Sequence, residues 1–168
     1  MTEEMEISSE ETSEPLSTGG KFLTFQLQEE EYGLEILKVR EIIGIMAITT
    51  VPQTPDHVKG VINLRGEVIP VIDLRLKFRL IESEYDRRTC IIVVDVSGML
   101  MGIVVDTVSE VVDIDSSCID ETPSFGVALN MDYILGMGKV GNKVKILLEI
   151  DKVLTSEELR EMNKISHQ

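Results

Sequence analysis

The run Phe22-Leu23-Thr24-Phe25-Gln26-Leu27 and, after the polar turn Glu29-Glu30-Glu31, the run Tyr32-Gly33-Leu34-Glu35-Ile36 alternate apolar and polar residues. Leu23, Phe25 and Leu27 fall on one side of an extended chain and Thr24, Gln26 and Gln28 on the other. Tyr32, Leu34 and Ile36 then resume the period. A period of two is that of half-buried antiparallel strands.

Outward from this stretch, Val68–Ile72, Ile91–Val96 and Met99–Val105 are more continuously apolar, as strands covered on both faces are. Arg65-Gly66, Ser97-Gly98 and Gly141-Asn142 predict tight hairpins between them. Helical signals are few. Thr54-Pro55 reads as an N-cap and first-turn proline opening a short helix near Asp56–Lys59. Thr155 and Glu158 have capping-box spacing before a helix that runs to about Ile165. The chain also matches itself. Residues 22–43 fall on 91–112 at an offset of 69, with Gly33 on Gly102, Val39 on Val108 and Glu41 on Glu110. At an offset of 76, Gly60 falls on Gly136, Val68 on Val144 and Asp73 on Glu149. The expected fold is therefore all-β and two-lobed: lobes at about 21–85 and 86–150 that could exchange strands, an apolar seam between them, and residues 151–168 holding the C-terminal helix.

Composition narrows the function. The 168 residues carry a net charge of −14, with 30 acids against 16 bases. Six of the acids (Glu3, Glu4, Glu6, Glu10, Glu11 and Glu14) lie in residues 1–20, which hold no base and read as a disordered acidic tail. An acidic chain of this kind lacks the basic face that nucleic acid or an anionic membrane surface requires. Cys90 and Cys118 stand far apart, outside any Cys-x-x-Cys pair, which argues against a disulfide framework or a zinc ribbon. With an acidic N-terminus and no apolar run of spanning length, the expectation is a cytoplasmic protein with no membrane insertion.

Catalytic constellations are not found. His57 reads as a surface residue, Cys90 as a small buried hydrophobe, and Cys118 lacks a neighbour that would lower its pKa. Gly136-Met137-Gly138-Lys139-Val140-Gly141 matches Gly-x-Gly-x-x-Gly literally, but an apolar strand follows instead of the helix a dinucleotide needs. Asp95 and Asp106 interrupt or end apolar strands, Asp113 and Asp115 read as a loop start, and seven aromatics with no Trp furnish no sugar platform. No cofactor and no metal are expected. Lys38-Val39-Arg40-Glu41 and the turn Asn63-Leu64-Arg65-Gly66, with Lys59-Gly60 before it, are the polar features left over. Arginine is enriched at interface hot spots because its fork pairs while its stem packs. On the residues alone the reading ends at a two-lobed β adaptor with a binding groove. The alternative is a small-molecule-binding or catalytic β-barrel.

Resemblance extends that reading. Phe22–Leu27 with Glu31-Tyr32-Gly33-Leu34-Glu35-Ile36-Leu37-Lys38-Val39-Arg40-Glu41-Ile42 closely resembles the opening of the CheW family of bacterial chemotaxis coupling proteins. Val58-Lys59-Gly60-Val61-Ile62-Asn63-Leu64-Arg65-Gly66, Val68-Ile69-Pro70-Val71-Ile72-Asp73-Leu74-Arg75, Gly102–Val111 and Tyr133-Ile134-Leu135-Gly136 continue the likeness over about 21–160. It implies two five-stranded Src-homology-3-like β-barrels on a shared apolar interface and no enzymatic activity. The implied role is a scaffold joining chemoreceptor cytoplasmic tips to the regulatory domain of the histidine kinase CheA, in arrays beneath the inner membrane. Val39, Glu41, Gly60 and Arg65 fall at positions the family associates with receptor contact, with Ile36 and Lys59 nearby. The kinase-binding face is not assigned. The departures are the glutamate-rich tail and residues 82–88 and 113–125.

Overall fold

The computed structural model describes residues 19–80, 84–120 and 133–166. Residues 1–18 of the acidic tail, His167 and residues 121–125 therefore lie outside the described residues, while Gly19 and Gly20, read above as tail, already belong to the first strand. The strands are β1 (Gly19–Leu27), β2 (Glu30–Glu35), β3 (Val39–Gly44), β4 (Val58–Leu64), β5 (Glu67–Asp73), β6 (Cys90–Val96), β7 (Met99–Val105), β8 (Thr107–Asp115), β9 (Ile119–Asp120), β10 (Ile134–Val140) and β11 (Lys143–Leu148). A short helix α1 (Leu74–Lys77) follows β5, and α2 (Ser156–Ser166) lies near the C-terminus. Single 3-10 turns occupy Ile36–Lys38, Ser116–Cys118 and Ile150–Lys152.

Turn chemistry accounts for the hairpins. Arg65 and Gly66 have φ of 52° and 90°, and Ser97 and Gly98 have 52° and 85°. Two successive positive φ angles follow the right-handed twist of the flanking strands. In both turns a side chain two residues before the first of them, Asn63 or Asp95, accepts the glycine N–H (2.8 and 3.0 Å). The capping box also forms: Glu158 N–H donates to Thr155 Oγ1 (3.1 Å), and Thr155 N–H donates to Glu158 Oε1 (2.8 Å). The helix expected near Asp56–Lys59 does not. Thr54 Oγ1 donates back to the Val51 carbonyl (2.9 Å) instead of accepting a forward N–H, the chain turns, and Val58 opens β4.

Two sheets result, ordered β8-β1-β2-β11-β10-β9 and β3-β6-β7-β5-β4. The expected boundaries, 21–85 and 86–150, do not delimit them. Hairpin β1–β2 pairs with β8 and β11, while hairpin β6–β7 pairs with β3 and β5. Each half of the chain thus lends its leading hairpin to the other's sheet. Both internal registers are visible in this topology. Shifting β4 by 76 gives Ile134–Val140, which is β10, and shifting β3 by 69 gives 108–113, inside β8. Apart from the two-residue β9, the sheets have the same five-strand plan.

The pleat distributes the apolar residues among three clusters. Ile92, Val94 and Val96 join Leu23, Phe25, Leu27, Leu34 and Leu148 in the seam between sheets. Ile91 and Val93 face the other way, packing with Ile62, Ile69, Val71 and Val104 inside the second sheet. Phe22, Ile114, Ile119 and Leu147 fill the first. β6 is therefore covered on both faces, as its nearly continuous apolar run, interrupted only at Asp95, predicts. Thr24, expected on an outer face, is instead fully buried, its hydroxyl donating to the Glu110 carbonyl (2.8 Å) beside a bulge in the β1–β8 register. Phe25, Tyr32, Phe78 and Tyr133 stack in one row along the seam, with centroids 5.0–6.0 Å apart.

A buried ionic hub ties the sheets where hairpins are exchanged. Arg75, 1% exposed, donates from Nε and Nη2 to the two oxygens of Asp73 (3.1 and 3.0 Å) and from Nη1 to Asp106 (3.1 Å). Asp106, between β7 and β8, also accepts the N–H of Gln28 in the β1–β2 turn (2.6 Å), and Tyr85 donates to Asp73 (3.1 Å). Removing the cation would strand a fully buried carboxylate, a loss of about 3–5 kcal/mol. Arg75→Ala is accordingly expected to lower the urea midpoint by that equivalent at unchanged m-value, checked by equilibrium unfolding followed by circular dichroism.

Candidate functional site

Glu41 lies on β3 and Arg65 at the tip of the β4–β5 turn, and β3 and β4 are opposite edges of the second sheet. Their side chains meet in a two-point pair: Nη2 donates to Oε1 (2.5 Å) and Nη1 to Oε2 (3.2 Å). The pair spans the two open edges and closes the sheet on itself. Arg65 remains largely exposed, so the pair adds little stability. What it does is hold a planar guanidinium–carboxylate surface at a fixed place. Hydrogen bonding to Arg65 keeps the Glu41 carboxyl below its usual range, so it stays ionised at neutral pH.

The other candidate positions divide. Ile36 and Val39 are half-buried and pack against the seam. Gly60 is buried with φ of 140°, and a Cβ there would lie 2.0 Å from the Thr49 carbonyl oxygen. That closeness permits the Thr49–Val61 bridge, with N–H···O of 2.8 and 2.9 Å in both directions. Lys59 stands 5.8 Å from the centroid of the Tyr85 ring, which also lies 5.3 Å from the Arg75 guanidinium. The two cations Lys59 and Arg65 thus do not gather at one turn: they sit at opposite ends of β4, about 20 Å apart at a strand's rise per residue.

Sequence reasoning passed over a groove next to Arg65. The β4–β5 turn, the β6–β7 turn and α2 enclose about 500 Å³ lined by Val68, Ile69, Met99, Leu100 and Asn163. It lies against the second sheet, not between the lobes. The sequence carries no signal of it: Val68 belongs to an apolar run read as covered on both faces, yet it stays 42% exposed. The Gly-x-Gly-x-x-Gly match lies along β10 and its hairpin turn into β11, so no helix N-terminus is there to receive a phosphate. Among the described residues no group of His, Cys, Asp and Glu is arranged to hold a metal ion. Cys90 is half-buried, not fully buried as expected.

His57 is not a surface residue. Its side chain is 12% exposed beneath α2, among Thr54, Pro55, Val58, Met162 and Ile165. Nε2 is buried without a hydrogen-bond partner, 3.5 Å from Glu158 Oε2. Lys77 already donates to both oxygens of that carboxylate (2.9 and 3.0 Å). Burial lowers the His57 pKa, partly opposed by the negative charges of Glu158 and Asp56 and reinforced by Lys77. The folded state therefore takes up the proton less readily than the unfolded state. This contribution to stability is complete above the unfolded histidine pKa and is lost as pH falls through the lower folded value.

Two measurements follow from these placements. Gly60→Ala is expected to destabilise the protein by at least about 1–3 kcal/mol through backbone strain, so thermal unfolding must accompany any binding assay on it. Stability should decline as pH is lowered from 7 toward 5, and His57→Gln should flatten that decline; identical pH profiles for the two proteins would refute the assignment.

The CheW-like domain family profile matches residues 21–158. The chain is 43% identical over 150 residues to the chemotaxis protein CheW of Klebsiella aerogenes, covering 89% of this chain and 90% of that one. It is 33% identical over 143 residues to the chemotaxis protein CheW of Bacillus subtilis, covering 84% and 91%. A crystal structure of the scaffolding protein TtCheW from Thermoanaerobacter tengcongensis matches with a TM-score of 0.76 at 34% identity, over 83% of this chain and 95% of that one.

Proposed function

The chain belongs to the CheW family, and from that premise we propose that it is a non-enzymatic chemotaxis scaffold that couples chemoreceptor tips to the kinase CheA in arrays beneath the inner membrane. The observation that carries this reading is the Glu41–Arg65 pair, two positions of receptor contact in the family resemblance, found joined at the surface beside a groove of mixed polar and apolar lining. A receptor's helical hairpin would lay apolar residues along Val68, Met99 and Leu100, while the pair at the rim fixes its direction.

Coupling of this kind needs no bond chemistry. A protein that holds a receptor on one face and the kinase on another raises the local concentration of each for the other. Any bias between kinase states then comes from differential contact free energy. Glu41 and Arg65 serve recognition better than stability, because a rim pair exposed to solvent is screened in the monomer but becomes desolvated under a partner. Among the described residues no helix is long and apolar enough to cross a membrane.

Co-sedimentation with receptor-bearing membranes, with and without CheA, tests the whole reading; wild-type protein that stays in the supernatant in both arms overturns it. Charge exchange tests the site. Glu41→Ala and Arg65→Ala should each reduce receptor pelleting about tenfold, leaving CheA binding and the thermal midpoint nearly unchanged. The double variant Glu41→Arg/Arg65→Glu restores the pair but reverses its polarity. It should therefore remain folded and still fail to pellet with receptor.

A further inference from the structure

The internal repeat allows each junction to be compared with its counterpart. At the junction of β7 and β8, Asp106 takes Arg75 Nη1 (3.1 Å) and the Gln28 N–H (2.6 Å). Shifting by the two registers carries Gln28 to Ser97, Arg75 to Asp151, and Asp106 to Leu37. The equivalent brace is present with its charges inverted and moved by one residue: Lys38 Nζ donates to Asp151 Oδ2 (2.6 Å), and Ser97 N–H donates to Asp151 Oδ1 (3.2 Å). The fold thus needs an ion pair and a turn amide at this junction. It does not need a leucine at 37. Leu37 is nevertheless 91% exposed, the most exposed of the large apolar side chains among the described residues.

Its setting is rigid. Leu37 is the middle residue of a 3-10 turn closed by the Val39 N–H on the Ile36 carbonyl. Ile36 and Val39 on either side are drawn into the seam, and Lys38 is clamped to Asp151. With the turn held by its neighbours, the backbone under Leu37 is placed before a partner arrives, and only the side chain's own rotamers remain to be ordered on binding. It stands four residues before Glu41 on the continuous segment that carries the candidate contacts.

We propose that Leu37 is an apolar anchor that inserts into the receptor tip, and that the Lys38–Asp151–Ser97 brace is its positioning device. This deepens the receptor-coupling reading and rests on it. The partner must present a small apolar recess, of the kind found between the helices of a hairpin, adjoining a polar rim that meets Glu41 and Arg65. Leu37 contributes the buried apolar contact, and Asp151 acts on binding only through Lys38 and the turn.

The test uses the full-length chain and membranes carrying full-length chemoreceptor, with CheA binding measured in parallel. Leu37→Ser should weaken receptor pelleting at least tenfold at unchanged thermal midpoint and unchanged CheA binding. Asp151→Asn should weaken it several-fold, and Lys38→Asp/Asp151→Lys, which reverses the ion pair and leaves the residue-38 carboxylate to accept the Ser97 N–H as Asp106 accepts that of Gln28, should recover most of the loss. Wild-type binding combined with Leu37→Ser binding within twofold of it overturns the anchor. Failure of the exchanged pair to recover, with the fold intact, overturns the brace. If wild-type protein does not pellet at all, it is the receptor-coupling reading that fails.

Discussion

The exchange of leading hairpins constrains everything else in this molecule. Because β1–β2 completes a sheet whose other long strands are β8, β10 and β11, neither half of the chain can close its own sheet. Strand pairing alone therefore makes the lobes interdependent, before side chains are considered. The seam cluster turns that dependence into packing, with both faces of β6 buried and residues of both sheets in one core. Polar atoms at the crossing points cannot reach water and must be satisfied within the protein. Arg75 does this by serving buried Asp73 and part-exposed Asp106 together, and the cost of burying the Arg75–Asp73 pair is offset only because nearly every donor and oxygen has a partner.

Much of this was legible in the sequence, and for identifiable reasons. Period-two alternation at Leu23–Leu27 and continuous apolarity at Ile91–Val96 are direct consequences of one-sided and two-sided burial. The Arg65-Gly66 and Ser97-Gly98 turns announce themselves through glycine. The capping box at Thr155 and Glu158 involves residues three apart and is a local matter. Thr54-Pro55 misled because the same dipeptide suits a helix start and a turn, and the choice was made by a hydroxyl that bonds backward to Val51. The hub escaped notice since Asp73, Arg75, Asp106 and Tyr85 are unremarkable as types, and only tertiary pairing makes them a unit. His57 was misread because the helix covering it begins about a hundred residues later.

The candidate site was legible in a different way. Residue physics singled out Arg65 but could not say that its partner was Glu41, since nothing in sequence reveals that β3 and β4 are the edges that meet. Resemblance supplied both positions without the reason for either. Geometry separates their roles: Glu41 and Arg65 form a surface, while Gly60 makes room for the Thr49 carbonyl. A loss of binding on altering Gly60 therefore has a structural explanation available that is unavailable for Arg65.

The two lobes share a plan yet differ where it matters for recognition. Glu41 meets Arg65, whereas their counterparts are Glu110 and Gly141, and a glycine has no side chain with which to form such a clasp. Leu100, which lines the groove on the second sheet, has as its counterpart Glu31, which is ion-paired with Lys145 on the first. A duplicated fold retains symmetry in what packing requires, namely strand order, hairpin turns and braced junctions. Where symmetry breaks at solvent-facing positions, stability of the monomer does not explain the difference. Of those positions, Arg65 and the groove beside it fall on the second sheet, while the exposed apolar side chain sits on a braced turn that touches both sheets. An asymmetric set of contacts on a symmetric frame is what a scaffold needs in order to hold two different partners without confusing them.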